Sequence, residues 1–475
     1  MDAAMLLFTR AELAEVLKPV ASDNLDALDV VEGVSTDSRT LQAGNLFVAL
    51  RGERFDGHAF VADAIERGAR ALALDASYRG NCARGDVPTF WVDDTLTAYG
   101  DLARAHRRRF DVPVVAVAGA VGKTTTKDIA AHLLAARYSV HRTPGNWNNR
   151  VGVPHVLLGI EPAHTAVVVE IGTNRPGEIA ELCRIAEPTH GVITAIAEEH
   201  LEFLGSLDGV EQEETALFRW LARHGGLACV NVDDSRLARY ADHMPHVLTF
   251  GRDGSAQLRA SFVLEPGTLF PLIELAFEGT SVRARLSHPG YGAAFCAIAA
   301  SAVALSLGVE LEAIAHELGT YRPAASHGYG RMQVEEGQGG ITILNDCYNA
   351  NPASMRAALD TLSAYPTAQQ RIAVLGDMRE LGAATDAEHR AILQYAAERA
   401  DVVVAIGQAM EQAVRSLTGG SGSLSCAVAI ARSHSEAASI VGLLARPGDV
   451  VLVKGSRSMM LEHVIAELRG QRQEP

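Results

Sequence analysis

The sequence predicts an α/β protein in which a central, doubly wound parallel sheet lies between a small N-terminal α/β domain and a Rossmann-like C-terminal domain. The chain has 475 residues, and at about 150 residues per domain this length suggests three domains. From Val112 onward, continuous apolar runs alternate with Ala-rich helical stretches, which is typical of buried parallel strands. A second such series begins at Ile341, after a joint that contains Gly, Pro and His.

The first predicted domain, residues 1–110, combines short strands with polar turns and one clear helix. We expect its strands at residues 45–50, 69–74 and 89–92 and its helix at 101–109. The helix ends in Arg107, Arg108 and Arg109. We interpret this run as a solvated helix end, and a phosphate site is the alternative.

The other two domains contain the longer apolar runs. In the central domain, residues 111–325, we expect a long helix at 293–307 and strands at 112–118, 165–171 and 191–197. In the third domain, residues 326–475, we expect strands at 341–345, 371–376, 402–407 and 449–455.

Composition narrows the classes of function. The net charge of −15 argues against non-specific nucleic-acid binding. No charged-then-apolar leader opens the chain and no apolar run approaches the ~20 residues of a membrane span, so we expect a cytoplasmic protein without membrane insertion. We also expect a monomer. Reduced thiols are expected because no CxxC pair occurs among Cys82, Cys183, Cys229, Cys296, Cys347 and Cys426.

A strand, a glycine-containing turn and a helix follow one another early in the central domain. The turn and helix start comprise Ala118, Gly119, Ala120, Val121, Gly122, Lys123, Thr124 and Thr125. Such a junction directs backbone N–H groups and a helix N-terminus at a phosphate. The lysine can neutralise the β- and γ-phosphates, and the Thr124 hydroxyl can hold Mg²⁺. We interpret the segment as a P-loop, although Val117 replaces its first glycine; an ordinary junction with an incidental lysine is the alternative.

Two polar residues stand at the ends of predicted parallel strands. Glu170 belongs to the run at 165–171, and His200 follows the run at 191–197. Ligands of open α/β sheets collect at this edge, where a carboxylate, an imidazole and a threonine hydroxyl can converge as metal ligands. Two alternatives remain open: Glu170 capping a strand end, and His200 as a structural histidine.

Asparagines are concentrated in two segments, Asn146-Trp-Asn-Asn149 and Tyr348-Asn-Ala-Asn-Pro352. Asparagine suits turns, so a purely structural role is one interpretation. Neutral amides also recognise amide, sugar and phosphate groups without adding charge, which makes both segments candidate substrate-binding sites.

Together these motifs resemble those of the Mur ligases. Their order and spacing cover almost the whole chain, and the last two long motifs favour the final ligase of the cytoplasmic series. The resembling stretches are Thr36-Asp-Ser-Arg39, Phe47-Val-Ala-Leu-Arg-Gly-Glu-Arg-Phe-Asp-Gly-His58, the P-loop, Pro144-Gly-Asn-Trp-Asn-Asn149, Glu170-Ile-Gly-Thr-Asn-Arg-Pro-Gly-Glu178, Asn345-Asp-Cys-Tyr-Asn-Ala-Asn-Pro352, Val374-Leu-Gly-Asp-Met-Arg-Glu-Leu-Gly382 and Lys454-Gly-Ser-Arg457.

The resemblance implies a UDP-binding first domain, a central ATPase domain and a third domain that brings the incoming amine. It implies ATP-dependent amide formation through an acyl phosphate, in peptidoglycan precursor synthesis. The implied substrates are UDP-N-acetylmuramoyl-tripeptide and D-alanyl-D-alanine, and the implied cofactors are ATP and Mg²⁺.

The resemblance also assigns roles to single residues. Lys123 would neutralise the phosphates together with Mg²⁺ held by Thr124 or Thr125, Glu170 and His200. Arg331 and Asp346 would reach ATP from the third domain. The implied substrate contacts are Ser35, Thr36, Asp37, Ser38, Arg39, Asn146, Asn148, Asn149, Tyr348, Asn349 and Asn351.

The chain departs from the family pattern around the nucleotide. Ala118 and Ala120 replace residues that carry a hydroxyl or an amide in the loop, and Ala195 replaces an asparagine. Gly292 and Cys296 stand where a histidine and an asparagine usually approach the adenine.

A further departure concerns the second metal. Glu214 occupies the position at which many Mur ligases carry a carbamylated lysine that binds a second Mg²⁺. A glutamate keeps the negative charge without modification but has a shorter reach. Either Glu214 or its neighbour Glu213 substitutes directly as the metal ligand, or the second metal is held differently or lost.

Two other functions remain open. One is a Mur-type amide ligase acting on a different carboxylate or amine, and the other is a nucleotide-binding paralogue without turnover. Retention of Lys123, Thr124, Glu170, His200, Arg331 and Asp346 favours a working enzyme.

Overall fold

A computed structural model describes residues 7–52, 55–80, 85–323, 330–365, 369–419 and 424–470. Cys82, Glu53 and Arg54 lie outside the described residues, as does the expected domain boundary at residue 325. None of the five described cysteines forms a disulfide. No helix in these ranges is long and apolar enough to cross a bilayer.

The secondary structure follows the chain in three stretches. Residues 7–111 form strands β1 (Phe8–Thr9), β2 (Ala21–Asp23), β3 (Val30–Val31), β4 (Val34–Ser35), β5 (Leu46–Val48), β6 (Ala71–Asp75) and β7 (Thr89–Val92) and helices α1 (Arg10–Leu17), α2 (Val61–Glu66) and α3 (Thr95–Arg107).

Residues 112–323 form strands β8 (Val114–Ala118), β9 (Val140–Arg142), β10 (Ala166–Glu170), β11 (His190–Ile193), β12 (Leu227–Asn231), β13 (His246–Gly251), β14 (Leu258–Leu264), β15 (Pro271–Phe277) and β16 (Thr280–Arg285). The helices of this stretch are α4 (Lys123–Leu134), α5 (Gly152–Leu158), α6 (Glu178–Ala186), α7 (Leu201–Leu204), α8 (Leu207–Glu214), α9 (Ala216–His224), α10 (Ser235–Ala238), α11 (Tyr291–Ser306) and α12 (Leu311–Thr320).

Residues 330–470 form strands β17 (Gln333–Glu336), β18 (Thr342–Asn345), β19 (Arg371–Gly376), β20 (Val402–Ile406), β21 (Ala427–Ala431) and β22 (Val450–Lys454). The helices are α13 (Pro352–Ser363), α14 (Thr385–Ala397), α15 (Gln408–Thr418), α16 (His434–Leu444) and α17 (Glu462–Leu468).

The chain divides into two compact units, and β8 spans the boundary between them. The first unit comprises Met1–Ala116, Tyr138–Gly172 and Glu178–Thr189. The second comprises Val117–Arg137, Thr173–Gly177 and His190–Pro475.

The first unit is built on a five-stranded sheet in the order β2-β7-β6-β5-β4. Strands β4 to β7 are parallel and β2 is antiparallel to β7. Side chains including Phe47, Leu72 and Trp91 form its apolar core. In the same unit, β9 and β10 pair in parallel, and β10 ends at Glu170.

The second unit contains two strand systems. Strands β11 to β14 are parallel, whereas β14, β15 and β16 are antiparallel. A six-stranded sheet has the order β17-β18-β22-β19-β20-β21, with only β17 antiparallel. Within β19, Ile372 and Val374 enter one apolar core, whereas Ala373 and Leu375 enter another. Helices therefore cover both faces of this sheet, as in a doubly wound fold.

Most predicted strands are confirmed, and those at 89–92 and 371–376 have the predicted bounds. The predicted helix at 101–109 instead begins at Thr95, because the Asp94 side chain accepts hydrogen bonds from the N–H groups of Leu96 and Thr97. The antiparallel strands β14 to β16 were not predicted.

The interpretation of the basic run as a solvated helix end is wrong for Arg107. This guanidinium is buried and donates hydrogen bonds to the carbonyl oxygens of Ala186 and Phe110. Arg108 instead pairs with Glu187 at 2.6 Å. Buried carbonyl acceptors, which the sequence does not reveal, hold Arg107 inside the first unit.

Candidate functional site

The predicted P-loop is a tight turn between a strand and a helix, with two glycines at positive φ. Strand β8 ends at Ala118, and helix α4 begins at Lys123 after Gly122 with φ +86°. A Cβ atom at Gly119 would lie 2.4 Å from Thr194 Oγ1, and the φ of Gly119 is +113°. Only glycine fits this position without strain, so the turn requires Gly119 for steric reasons.

A backbone hydrogen bond holds the loop at one of its two alanines. The N–H of Ala120 donates to the carbonyl oxygen of Ala195 over 2.9 Å. This contact needs no side chain from either residue, so alanine keeps the turn in place.

Lys123 lies at the start of α4 with its ammonium group folded back over the turn. Its Nζ donates to the carbonyl oxygen of Gly119 at 2.5 Å and lies 3.5 Å from a carboxylate oxygen of Glu199. Both partners belong to the second unit. Glu199 was not among the predicted site residues, and its adjacency to His200 was the only sequence signal.

Glu214 lies directly beneath the turn. Its Oε2 accepts a 2.7 Å hydrogen bond from the N–H of Gly119, and the side chain is fully buried. Burial raises the pKa of Glu214 to about 8; Lys123 opposes this rise and Glu199 adds to it. Burial next to another acid therefore favours the protonated form of the Glu214 carboxyl group, and its role as an anionic metal ligand stays a prediction.

Glu213 faces a different part of the second unit. It accepts hydrogen bonds from the Thr173 hydroxyl at 3.3 Å and from the N–H of Gly177 at 2.7 Å. Of the two neighbouring glutamates, Glu214 is therefore the one that contacts the phosphate-binding turn.

His200 is held between two carboxylates. Its Nδ1 pairs with Glu380 from the segment after β19, and its Nε2 lies 3.9 Å from Glu199. The hydrogen bond from His200 lowers the pKa of Glu380. These contacts fit the structural interpretation, and metal binding by His200 stays a prediction.

Glu170 lies in the first unit with one oxygen held in place. Its Oε1 accepts a 2.8 Å hydrogen bond from the Asn148 amide. Its other oxygen, Oε2, is buried and has no hydrogen-bond partner in the described part of the chain. A buried carboxylate oxygen without a partner suits a cation, because the unpaired charge is costly otherwise.

The other predicted substrate residues of the first unit make local contacts. Arg39 donates to Asp37 at 2.7 Å, which lowers the pKa of Asp37 to about 2. The Ser35 hydroxyl donates to the carbonyl oxygen of Asp37 at 3.0 Å. The segment Ser35, Thr36, Asp37, Ser38 and Arg39 thus forms a turn held by its own side chains. Its binding of a substrate stays a prediction.

The Asn146–Asn149 segment combines a turn with a positioning contact. Asn149 Oδ1 accepts from the N–H groups of Val151 and Gly152, which is a turn role, whereas Asn148 holds Glu170. Asn146 is exposed.

In the second unit, Asp346 follows β18 and is paired with a lysine that sequence reasoning left without a role. Lys454 Nζ lies 2.6 Å from Asp346 Oδ2 and donates to the carbonyl oxygen of Asn349 at 2.9 Å. Asp346 Oδ1 accepts from the N–H of Met332 at 3.1 Å. Arg331 stacks its guanidinium 4.0 Å from the centre of the Tyr348 ring.

Asn351 connects this segment with the P-loop inside the second unit. Its amide donates to the carbonyl oxygen of Ala120 at 3.3 Å. Its side-chain oxygen also accepts from the N–H of Ser354 and thereby caps α13. The sequence-predicted Tyr348–Pro352 segment and the predicted phosphate loop therefore meet, as the substrate-site interpretation requires.

The start of α11 also packs against the loop. Cys296 Sγ lies 3.6 Å from the carbonyl oxygen of Gly122. A Cβ atom at Gly292 would meet no atom within 4 Å. Gly292 thus leaves open space where the family pattern has a larger side chain.

Thr124 is buried at the start of α4, whereas Thr125 and Val121 are partly exposed. In the described part of the chain, no group of three or more His, Cys, Asp or Glu side chains is arranged to hold a metal ion.

The fold and this turn define a nucleotide-binding α/β protein of the P-loop class. Three family models match successive stretches of the chain: "Mur ligase family, catalytic domain" at residues 30–107, "Mur ligase middle domain" at 117–304 and "Mur ligase, glutamate ligase domain" at 330–457. The chain belongs to the Mur ligase family, and the resemblance found in the sequence is confirmed.

Two curated relatives are similar to the chain over nearly its whole length. The UDP-N-acetylmuramoyl-tripeptide–D-alanyl-D-alanine ligase of Treponema pallidum is 33% identical, covering 93% of this chain and 94% of the relative. The ligase of the same name from Bacillus subtilis is 32% identical, and the match covers 98% of this chain and 99% of the relative.

Two solved structures of MurF enzymes are also similar to this chain. A crystal structure of MurF from Acinetobacter baumannii has a TM-score of 0.87 and 29% identity, covering 98% of this chain and 99% of that one. The structure of MurF from Thermotoga maritima in complex with ADP has a TM-score of 0.78 and 27% identity, and the match covers 92% of this chain and 97% of that one.

Proposed function

We propose that this protein uses ATP to join D-alanyl-D-alanine to UDP-N-acetylmuramoyl-tripeptide in peptidoglycan precursor synthesis. The observation that carries the proposal is the contact between Asn351 and the Ala120 carbonyl, which brings the expected amine-binding segment to the phosphate-binding turn. The identity to curated relatives of this activity over nearly the whole chain supports the same substrates.

The chemistry has two steps. The terminal carboxylate of the tripeptide attacks the γ-phosphorus of ATP, and the bond between this phosphorus and the β-phosphate oxygen breaks. ADP is the leaving group, and the tripeptide becomes an acyl phosphate. The dipeptide amine then attacks the acyl carbon, and the tetrahedral intermediate expels phosphate while the amine loses a proton. Most of this work is positioning and charge neutralisation.

The chain supplies the neutralising groups from a few positions. Lys123 exchanges the Gly119 carbonyl for the phosphates, where its charge is most needed as the γ-phosphoryl group transfers. Backbone N–H groups of the turn bind phosphate oxygens. Arg331 and Asp346 contribute contacts to ATP from the segment around β18.

The metal proposal rests on the donor atoms. Thr124, Glu170 and His200 would hold Mg²⁺, with Glu214 beside the second metal position. The unpartnered Glu170 oxygen and the buried Thr124 hydroxyl are suitable hard ligands. When bound, Mg²⁺ neutralises charge on the β- and γ-phosphates.

The remaining assignments complete the proposal. The three domains are residues 1–110, 111–325 and 326–475, which bind the UDP-substrate, ATP and the incoming amine respectively. Ser35 to Arg39 and Asn146 to Asn149 contact the UDP-sugar, and Tyr348, Asn349 and Asn351 contact the dipeptide. The protein acts as a cytoplasmic monomer.

The deciding experiment measures phosphate release from ATP with UDP-N-acetylmuramoyl-tripeptide present. We expect release to require D-alanyl-D-alanine and to yield one amide product per phosphate. D-Alanine, L-lysine and glycine serve as competing amines. A preference for a single amino acid would indicate a Mur-type ligase with another amine, and no release with any amine would contradict an active ligase.

A further inference from the structure

Arg379 has an exposed guanidinium, and its backbone is connected by hydrogen bonds to the segment that meets the P-loop. Its side chain is 58% exposed. Its backbone N–H donates to Ser456 Oγ at 2.8 Å, and that hydroxyl donates to the carbonyl oxygen of Ala350 at 3.4 Å. The next residue, Asn351, reaches the carbonyl oxygen of Ala120 in the loop. Hydrogen bonds therefore link the backbone of Arg379 to the segment that contacts the predicted P-loop.

The buried carboxylate of Asp377 lies next to the Arg379 guanidinium and orients it. Asp377 is 1% exposed, and its Oδ1 accepts a 2.9 Å hydrogen bond from the N–H of Met410. Its Oδ2 is buried, has no hydrogen-bond partner in the described part of the chain, and lies 3.9 Å from the Arg379 guanidinium. A Cβ atom at Gly407 would lie 2.4 Å from Asp377, so the glycine makes room for this carboxylate.

The neighbouring cations at this sheet edge are already engaged. Lys454 pairs with Asp346 at 2.6 Å, Arg457 pairs with Glu462 at 2.9 Å, and Arg331 stacks on an aromatic ring. The described contacts of the Arg379 guanidinium are longer, at 3.9 Å to Asp377 and 3.9 Å to the sulfur of Met459. Its N–H groups are thus available to an incoming anion.

We infer that Arg379 binds the C-terminal carboxylate of the incoming dipeptide and that Asp377 is its positioning residue. The inference rests on the proposed function, since it assigns the far end of the amine substrate. The planar guanidinium fork matches a carboxylate with two parallel hydrogen bonds. An extended dipeptide spans about 7 Å, which separates its carboxylate from the amine that must reach the acyl phosphate.

The test compares D-alanyl-D-alanine with its neutral C-terminal amide, D-alanyl-D-alaninamide, as amine substrates. The wild-type enzyme should use the acid about 10- to 100-fold better in kcat/KM, which is the range for a hydrogen bond to a charged group. In Arg379→Gln the KM for the acid should rise by about the same factor. Its KM for the amide and for ATP should stay unchanged, so the preference disappears. Arg379→Lys should restore part of it.

Arg415→Gln is the matched control, because Arg415 is 68% exposed on α15 and pairs only with the i−4 residue Glu411 among its described contacts. It should keep the wild-type preference. Equal use of acid and amide by the wild type, or a retained preference in Arg379→Gln, would overturn the inference. The first of these comparisons needs no variant and is independent of folding. Absence of ligation with either amine in the wild type would instead contradict the proposed function.

Discussion

The Glu214 carboxyl group accepts a 2.7 Å hydrogen bond from the N–H of Gly119, so a fully buried acid supports the phosphate-binding turn directly. Burial raises the pKa of Glu214 to about 8. Burial therefore favours the protonated form of this carboxyl group. The Lys123 ammonium has Glu199 as its neighbouring carboxylate, at 3.5 Å. The turn is thus supported by unmodified side chains.

Activity should be independent of carbon dioxide, because Glu214 needs no carbamylation to provide a carboxyl group. We expect equal ligation rates in CO₂-stripped buffer with and without added bicarbonate, between pH 6.5 and 8. Glu214→Lys is the informative comparison: its rate should fall in stripped buffer and recover in part with bicarbonate. A bicarbonate-dependent rate in the wild type would indicate that another lysine is carbamylated.

Lys123→Ala should reduce ligation by more than about 100-fold while the fold is retained, since losing one transition-state contact of this kind costs about 3–4 kcal/mol. The Lys123 side chain is 15% exposed, and its ammonium group contacts the predicted P-loop. Single-turnover formation of the acyl phosphate is the measurement, and circular dichroism is the folding control. Near-normal turnover in a folded variant would rule out the P-loop assignment.

Much of the fold follows from the sequence because buried parallel strands are continuous apolar runs. Strands β7 and β19 were predicted with the observed bounds, and each end of β20 and β22 was predicted to within one residue. The antiparallel strands β14 to β16 were missed, since they alternate exposed and buried residues over a short stretch. Such a pattern is weaker than a continuous apolar run.

The parts of the candidate site that were predictable are those whose residues lie together in one sequence motif. The loop from Gly119 to Lys123 carries its own signal, whereas Glu199 and Lys454 act through partners distant in sequence. The raised pKa of Glu214 was not predictable, because it results from burial and the nearby Glu199, and neither can be read from the local sequence.

Asn148→Ala should weaken magnesium activation, because the Asn148 amide holds Oε1 of Glu170 at 2.8 Å and leaves Oε2 for the cation. Removing a residue that orients a metal ligand typically costs about 10- to 100-fold in metal affinity. We expect the Mg²⁺ concentration for half-maximal activity to rise by about 10-fold, and the rate at saturating Mg²⁺ to change little.

Asn146→Ala provides the control for this prediction, since Asn146 is exposed in the same segment and makes no described side-chain contact with Glu170. Direct Mn²⁺ binding, measured by electron paramagnetic resonance, gives a readout besides activity. Equal metal dependence in Asn148→Ala and the wild type would argue against Glu170 as a ligand.

Acid should destabilise the protein partly through His288. Burial, followed by the charge of Arg331, lowers the pKa of His288 from 6.5 to about 4. Between these values the unfolded state binds the proton and the folded state does not, so stability falls as pH decreases from 6.5 towards 4. Because a shift of one pKa unit corresponds to about 1.4 kcal/mol, the loss in the free energy of unfolding from His288 reaches at most about 3 kcal/mol.

His288→Gln removes this titration. We expect the denaturation midpoint of the variant, relative to the wild type, to shift upward as pH decreases from 7 to 5. Chemical denaturation at several pH values gives the comparison, and midpoints suffice because a chain of several domains need not unfold in two states. A difference between variant and wild type that does not change with pH would contradict the assignment.

The last prediction separates two roles of the Lys454–Asp346 pair. Lys454 is buried, and its Nζ lies 2.6 Å from the Asp346 carboxylate. Lys454→Met leaves that carboxylate unpaired, which costs about 3 kcal/mol for a largely buried group. We expect the variant to denature at a lower urea concentration and to lose activity.

The double variant Lys454→Met, Asp346→Asn removes both charges and should recover most of the stability, because no unpaired ion remains. It should not recover ligation, since Asp346 is proposed to contact ATP. Asp346→Asn alone leaves the lysine unpaired and should be destabilised as well. Urea denaturation and steady-state kinetics on the four proteins form a double-mutant cycle. Recovery of activity together with stability would show that Asp346 serves only to pair with Lys454.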